Sequence, residues 1–179
     1  MTLQLDFVQI PSPIGDILIA CNDQALLVLD YIDYADRMHE LLARRYAGAA
    51  YQLNPHPNPL TMVTRLQAYF AGDLHAFDDV VVDTGGTPFQ QRVWMALRDI
   101  APGTTTSYGA LAAHLGQPRA SRAVGRTNGL NPIAIVLPCH RVVGSTNALT
   151  GYAGGLHRKE WLLRHEGWRH AAPQARLAL

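Results

Sequence analysis

SYGALAAHLGQPRASRAVGRTNG, residues 107–129, decides how the second half of the chain folds. Ser107 is placed to cap a helix over the residues that follow it, and Gly116 offers the conformation on which such a helix ends. A further helix begins near Pro118, so two short helices meet at a Gly-Gln-Pro turn, the outline of a helix-turn-helix. On the second of them Arg119, Arg122 and Arg126 stand at i, i+3 and i+7 and share a face, while Ala120, Ala123 and Val124 lie largely on others. On most helices an arginine face is simply solvated. In a helix-turn-helix it is turned toward the phosphates or groove of a duplex.

Working outward, residues 88–100 (PFQQRVWMALRDI) carry Phe89, Val93, Trp94, Leu97 and Ile100 at helical spacing, with Pro88 in the first turn and Pro102-Gly103 closing the segment. Before them, Asp83-Thr84-Gly85-Gly86-Thr87-Pro88 marks a change of composition and sets a domain boundary, giving residues 1–85 and 86–179. In the first half, 3–10 and 17–32 read as two or three antiparallel strands, 34–47 as a helix, 48–60 with its three prolines as a loop, and 60–71 as a second helix. The fold class expected is α+β. A small N-terminal α/β domain with antiparallel strands precedes a mainly helical, winged-helix-like domain that contains the helix-turn-helix.

The net charge of +1 over 179 residues hides a division. Residues 1–85 hold eleven acids and four bases, a charge of −7, whereas 86–179 hold three acids and eleven bases, a charge of +8. A neutral total argues against a simple basic nucleic-acid binder, but the basic half restores that option. With 48% hydrophobic and 16% charged residues the chain is far from a disordered composition. The two cysteines, Cys21 and Cys139, show neither CxxC nor zinc-ligand spacing, and the eight histidines are scattered, so no metal is expected and a reduced, cytoplasmic setting is. The N-terminus lacks the pattern of a cleaved leader, and no stretch reaches the roughly 18 apolar residues of a membrane span.

The chemistry gathers in NPIAIVLPCHRVVG, residues 131–144, where an apolar run ends at Pro138 directly before Cys139. A cysteine in such surroundings is usually an inert small hydrophobe. His140 and Arg141 argue otherwise, since a base and a positive charge both favour thiolate. Cys21 has no basic neighbour and reads as structural, and Trp94 and Trp161 read as packing residues.

Residues 87–167 resemble the C-terminal domain of the O6-alkylguanine-DNA alkyltransferases, the methylated-DNA–protein-cysteine methyltransferases of the stand-alone bacterial type. The resemblance rests on GTPFQQRVW (86–94), TSYGALA (106–112), SRAVGRTNGLNP (121–132), LPCHRV (137–142), TGYAGG (150–155) and KEWLLRHEG (159–167), in the family's order. SPIGDILIA (12–20) and YFAGDL (69–74) are similar to its N-terminal domain. The resemblance implies direct reversal of DNA damage. In that reading Cys139 accepts the alkyl group from guanine O6 in a flipped nucleotide of double-stranded DNA, with alkylated thymine as a second substrate. His140 takes the thiol proton through a water, and Glu166 orients His140. Asn131 ties the active-site turn together, and Tyr108 donates a hydrogen bond or proton to the purine. Val142, through its carbonyl, and Tyr152-Ala153-Gly154 hold the base. Arg122 falls at the arginine finger, and small Ala123 and Gly125 suit close approach to DNA. No cofactor is implied, the protein acts once, and it acts as a monomer.

Three other readings are weaker. A non-reacting damage sensor would lack Cys139, a fused transcription regulator would need extra length and a four-cysteine site, and a cysteine hydrolase would need an oxyanion-hole motif.

Overall fold

The computed structural model describes residues 2–47 and 49–169, so His170 lies outside the described residues. It divides into two compact units, Met1–Gly85 with Pro132–Val136, and Gly86–Asn131 with the chain from Leu137 onward.

The first unit is built on a four-stranded sheet in the order β3-β2-β1-β4. Strands β1 (Leu3–Ile10), β2 (Ile17–Cys21) and β3 (Leu26–Tyr31) run antiparallel in sequence, as the turn residues between them require. Every residue of β2 and β3 is buried, so these strands read as continuous apolar runs rather than as an alternation. Helix α1 (Ala35–Arg45) adds Met38 and Leu42 to a core with Leu5, Leu18, Ala20, Leu27 and Val28. Burying each of the larger side chains stabilises the unit by about 1.5–3 kcal/mol before entropy is charged.

The stretch 48–60, expected as a loop, contains β4 (Tyr51–Pro55), which pairs parallel to β1 in the register Leu3↔Tyr51 to Phe7↔Pro55. The prolines that argued for a loop are tolerated because β4 is an edge strand and Pro55 ends it. Helix α2 (Met62–Phe70) starts two residues later than 60, since Asn58 Oδ1 accepts from the amides of Val63 and Thr64 and fixes the first turn there. The outer edge of β3 is covered twice. Leu26 pairs with Val81 and Asp83, and Leu29 pairs with Pro132 and Ala134, the latter bonds at 3.1 and 2.8 Å. Residues 132–136, placed by sequence within 86–179, therefore belong to the first unit, because an apolar strand edge recruits them.

In the second unit α3 (Pro88–Ala96) opens with a capping box between Thr87 and Gln90. It stops at Ala96 and tightens into a 3₁₀ turn over Leu97–Asp99, short of the 100 expected. Its Trp94 is buried and donates from Nε1 to the Thr127 carbonyl at 2.9 Å. A parallel two-residue pair joins β5 (Thr106–Ser107) to β6 (Val142–Val143). Helix α4 (Tyr108–His114) is capped by Ser107 Oγ, which accepts from Ala110 at 3.0 Å. Helix α5 (Ser121–Gly129) completes the helix-turn-helix. It begins at Ser121 and not near Pro118, because Ala120 N bonds Gln117 O and Pro118-Arg119 form the turn between. Helix α6 (Leu156–His165) buries Leu162 and Leu163. Trp161, expected to pack inside, is only half-buried and stacks on His165, ring centroids 4.9 Å apart.

Candidate active site

Cys139 opens a 3₁₀ turn that runs to Arg141, and its residue is only 6% exposed. The turn is held from behind by two asparagines. Asn131 Nδ2 donates to the Leu137 carbonyl at 2.7 Å, and Asn128 Nδ2 donates to the Cys139 carbonyl at 3.3 Å.

His140 is fully buried, and its Nε2 lies 2.8 Å from Glu166 Oε1. Arg141 grips the same carboxylate from Nε (2.8 Å) and from its second terminal nitrogen (2.9 Å), while its first reaches the Ile100 carbonyl. Burial alone would raise the Glu166 carboxyl, but the His140 bond and the Arg141 fork outweigh it and hold the group well below the usual carboxylate range. Burial pulls His140 the other way from its carboxylate partner and wins, so the imidazole is kept neutral. A neutral ring that donates from Nε2 to Glu166 presents a lone pair at Nδ1. That Nδ1 is buried and has no hydrogen-bond partner among the described residues. Glu166 is also fixed through its backbone: Gly103, at φ +74°, approaches so closely that a Cβ there would stand 2.7 Å from the Glu166 carbonyl oxygen. Only glycine fits that position.

Tyr108 is the first residue of α4 and its hydroxyl donates weakly to Thr150 O at 3.4 Å. Burial and then the Cys139 charge push its pKa up. Gly125 lies against the Tyr108 ring, where a Cβ would meet Cδ1 at 3.5 Å. That is ordinary van der Waals contact, so the tyrosine would tolerate a small side chain there. Val142 is buried and its carbonyl accepts from Lys159 Nζ at 2.6 Å. Lys159 Nζ also donates to Thr150 O at 3.0 Å. In the loop beyond, Tyr152 O accepts from Gly155 N, Ala153 is half-buried, and Gly154 O is held by the guanidinium of buried Arg158 at 2.9 Å.

Helix α5 has two faces. Val124, Thr127 and Asn128 are buried, and Arg122, Ala123 and Arg126 are exposed. Arg119 is exposed too, but it precedes the helix and does not share the arginine face expected for it.

Sequence reasoning missed Lys159. It is wholly buried, and burial lowers its pKa to about 8 against the pull of the Cys139 charge. Lys159 is thus a cation within electrostatic reach of Cys139, while Arg141 is engaged by Glu166 and Ile100. The signal was available: Lys159, Leu162, Leu163 and Glu166 stand at i, i+3, i+4 and i+7, so the lysine shares the buried face. Asn128 was also missed. Cys21, by contrast, is buried in β2 with its thiol pushed up to about 12 by burial and by Asp6, as befits a structural residue. Among the described residues no three His, Cys, Asp or Glu side chains are grouped to hold a metal.

The sequence matches the 6-O-methylguanine DNA methyltransferase ribonuclease-like domain over residues 8–84 and the DNA binding domain of the same family over residues 88–168. It is 50% identical over 161 residues to the methylated-DNA–protein-cysteine methyltransferase of Salmonella typhimurium, covering 89% of this chain and 94% of that one. It is 45% identical over 164 residues to the protein of the same name from Mycobacterium bovis, covering 91% and 93%. Among solved structures, Mycobacterium tuberculosis OGT in complex with DNA superposes with a TM-score of 0.76 at 44% identity, over 92% of each chain. Two domains matched in order, and relatives aligned along nearly their whole length, place this chain in the methylated-DNA–protein-cysteine methyltransferase family.

Proposed function

We propose that the protein repairs DNA by moving the alkyl group of O6-alkylguanine, and of O4-alkylthymine, onto Cys139 in a single irreversible turnover. What carries this reading is the junction of Cys139 with the buried His140–Glu166 pair in the unit that also presents the exposed arginines of α5. Support comes from the relative described in complex with DNA and from the names of the relatives.

The reaction follows from these groups. His140 Nδ1, through a water, takes the thiol proton, and Glu166 and Arg141 keep the ring in the tautomer that can do so. The thiolate attacks the alkyl carbon in line with the C–O6 bond. As the S–C bond forms, the electron pair of the broken bond passes to O6 and the purine ring, where the Tyr108 hydroxyl stabilises it. Guanine ends with the proton that the thiol lost. A thioether has no carbonyl for water to attack, so Cys139 is not regenerated. An alkyl carbon within a base stack cannot meet a thiol that is 6% exposed, so the nucleotide is flipped out, at a cost of a few kcal/mol. Arg122 fills the vacated place, while Arg126 and Arg119 contact phosphates and Ala123 permits close approach. Val142 O, with its second lone pair, and Tyr152-Ala153-Gly154 receive the base. The protein works as a monomer in the cytoplasm and needs no cofactor.

Incubation with a duplex bearing one O6-methylguanine, followed by intact mass measurement, should show a gain of one methyl group on Cys139 and none on Cys139→Ala. An unmodified cysteine beside a persisting lesion would refute the proposal.

A further inference from the structure

Asn128 sits at the end of α5, 4% exposed, and nothing in the transfer as described uses it. It stands one helical turn beyond Gly125, where an added Cβ would touch the Tyr108 ring at 3.5 Å, so the two residues share the side of the helix nearest the tyrosine. The carboxamide comes close enough to the phenol to favour its ionised form, against the burial that opposes it. The same carboxamide donates to the Cys139 carbonyl at 3.3 Å, which fixes Nδ2 as the atom on that side. Its Oδ1, meanwhile, is buried without a hydrogen-bond partner among the described residues. A buried acceptor left unmatched lowers stability. A role limited to holding the Cys139 carbonyl would use only one of the two amide hydrogens and leaves the second to be accounted for.

We infer that Asn128 is a positioning residue for alkyl transfer: one hydrogen of its amide nitrogen holds the Cys139 backbone and the other is directed at the Tyr108 oxygen, fixing the nucleophile and the leaving-group donor relative to each other. The inference rests on the proposed transfer reaction. The S–C bond forms and the C–O6 bond breaks as before. The electron pair moves onto the purine, Tyr108 O–H is drawn toward it, and the charge that gathers on the phenol oxygen meets the second Asn128 N–H. No atom beyond those already named is consumed.

The test compares wild type, Asn128→Leu, Asn128→Asp and the same changes in a Tyr108→Phe background, with single-turnover transfer from an O6-methylguanine duplex. Duplex affinity is measured in parallel on Cys139→Ala versions. Asn128→Leu and the isosteric Asn128→Asp, which both lack the N–H donors, should slow transfer about tenfold or more, a part of the 10²–10⁴ that a positioned proton donor supplies. Affinity should stay within about twofold, any fall in Tm should be the same with and without the Tyr108 hydroxyl, and in Tyr108→Phe the same change should cost less than about twofold in rate. Equal losses with and without the Tyr108 hydroxyl, a rate unchanged in both variants, or a rate loss that tracks a lowered Tm would each overturn the inference. Failure of wild type itself to take up methyl would instead overturn the transfer reaction.

Discussion

Glu166 carries three bonds from two cations or potential cations, and its worth depends on acidity. Its pKa in the folded state lies below the unfolded value of about 4.3, so the stability it confers is complete above that value and is lost as pH falls toward the folded pKa. His140, held neutral when folded, also gives stability that disappears as pH drops below about 6.5, because only the unfolded chain binds that proton freely. Glu166→Gln leaves the Arg141 charge buried against a weaker partner. It should cost about 3–5 kcal/mol at pH 7 in urea unfolding, with the gap to wild type closing toward pH 3. Lys159 titrates the other way. Its charge is present below about pH 8 and fades above it. Lys159→Met should therefore slow single-turnover transfer near pH 7, and the ratio of wild-type to variant rate should shrink as pH passes 8. A constant ratio from pH 7 to 9.5 would remove the lysine charge from the account. At this scale the candidate site was legible wherever a motif was local. Cys139 and His140 are adjacent, and their partner Glu166 could be named from HEG. Lys159 was announced only as a member of the buried face of α6, not by what it does, and Asn128 not at all: both act through carbonyls of residues distant in sequence, and such bonds leave no pattern in the amino-acid order.

Helix α5 separates two tasks on two faces. Its outer residues are free to meet a duplex while Val124, Thr127 and Asn128 anchor it. Arg122→Ala and Arg126→Ala should each weaken binding to undamaged and damaged duplex. A residue that only neutralises a phosphate should lower the slope of log K against log salt by about one, and a salt slope unaltered in both would remove phosphates as their partners. Arg122, assigned to the vacated base position, should also slow transfer from duplex more than from the free alkylated base. The Ser107 cap with the Gly116 stop located α4, and periodicity located α3 and α1 because each buries a stripe against its own unit. It misjudged the beginning of α5, where a proline suited to a helix start is used in a turn, and it overlooked β4, whose residues have little strand character. That strand exists because β1 offers it hydrogen bonds in register, information that resides in the partner and not in residues 51–55.

Over the whole chain, the contrast between a −7 and a +8 half gives the arginine-bearing part its attraction for a polyanion while the total stays near neutrality. The compositional boundary near residue 85 was visible, but the return of 132–136 to the first unit was not, since an apolar run reads alike wherever it is buried. Ala134→Pro deletes the donor to Leu29 O and should lower stability by about 1–3 kcal/mol, with transfer slowed because Cys139 lies five residues on. Thermal unfolding with both units monitored would check it, and an unchanged midpoint would show that this bond is dispensable. The threading of the chain from the second unit into the first and back has a genealogical consequence. A gene crossover at codon 85 would bring in a new second half whose residues 132–136 had been shaped against a different strand, so the halves are inherited well only as a pair. Shedding the first unit would leave residues 132–136, just upstream of the reactive turn, without the strand edge they bond to.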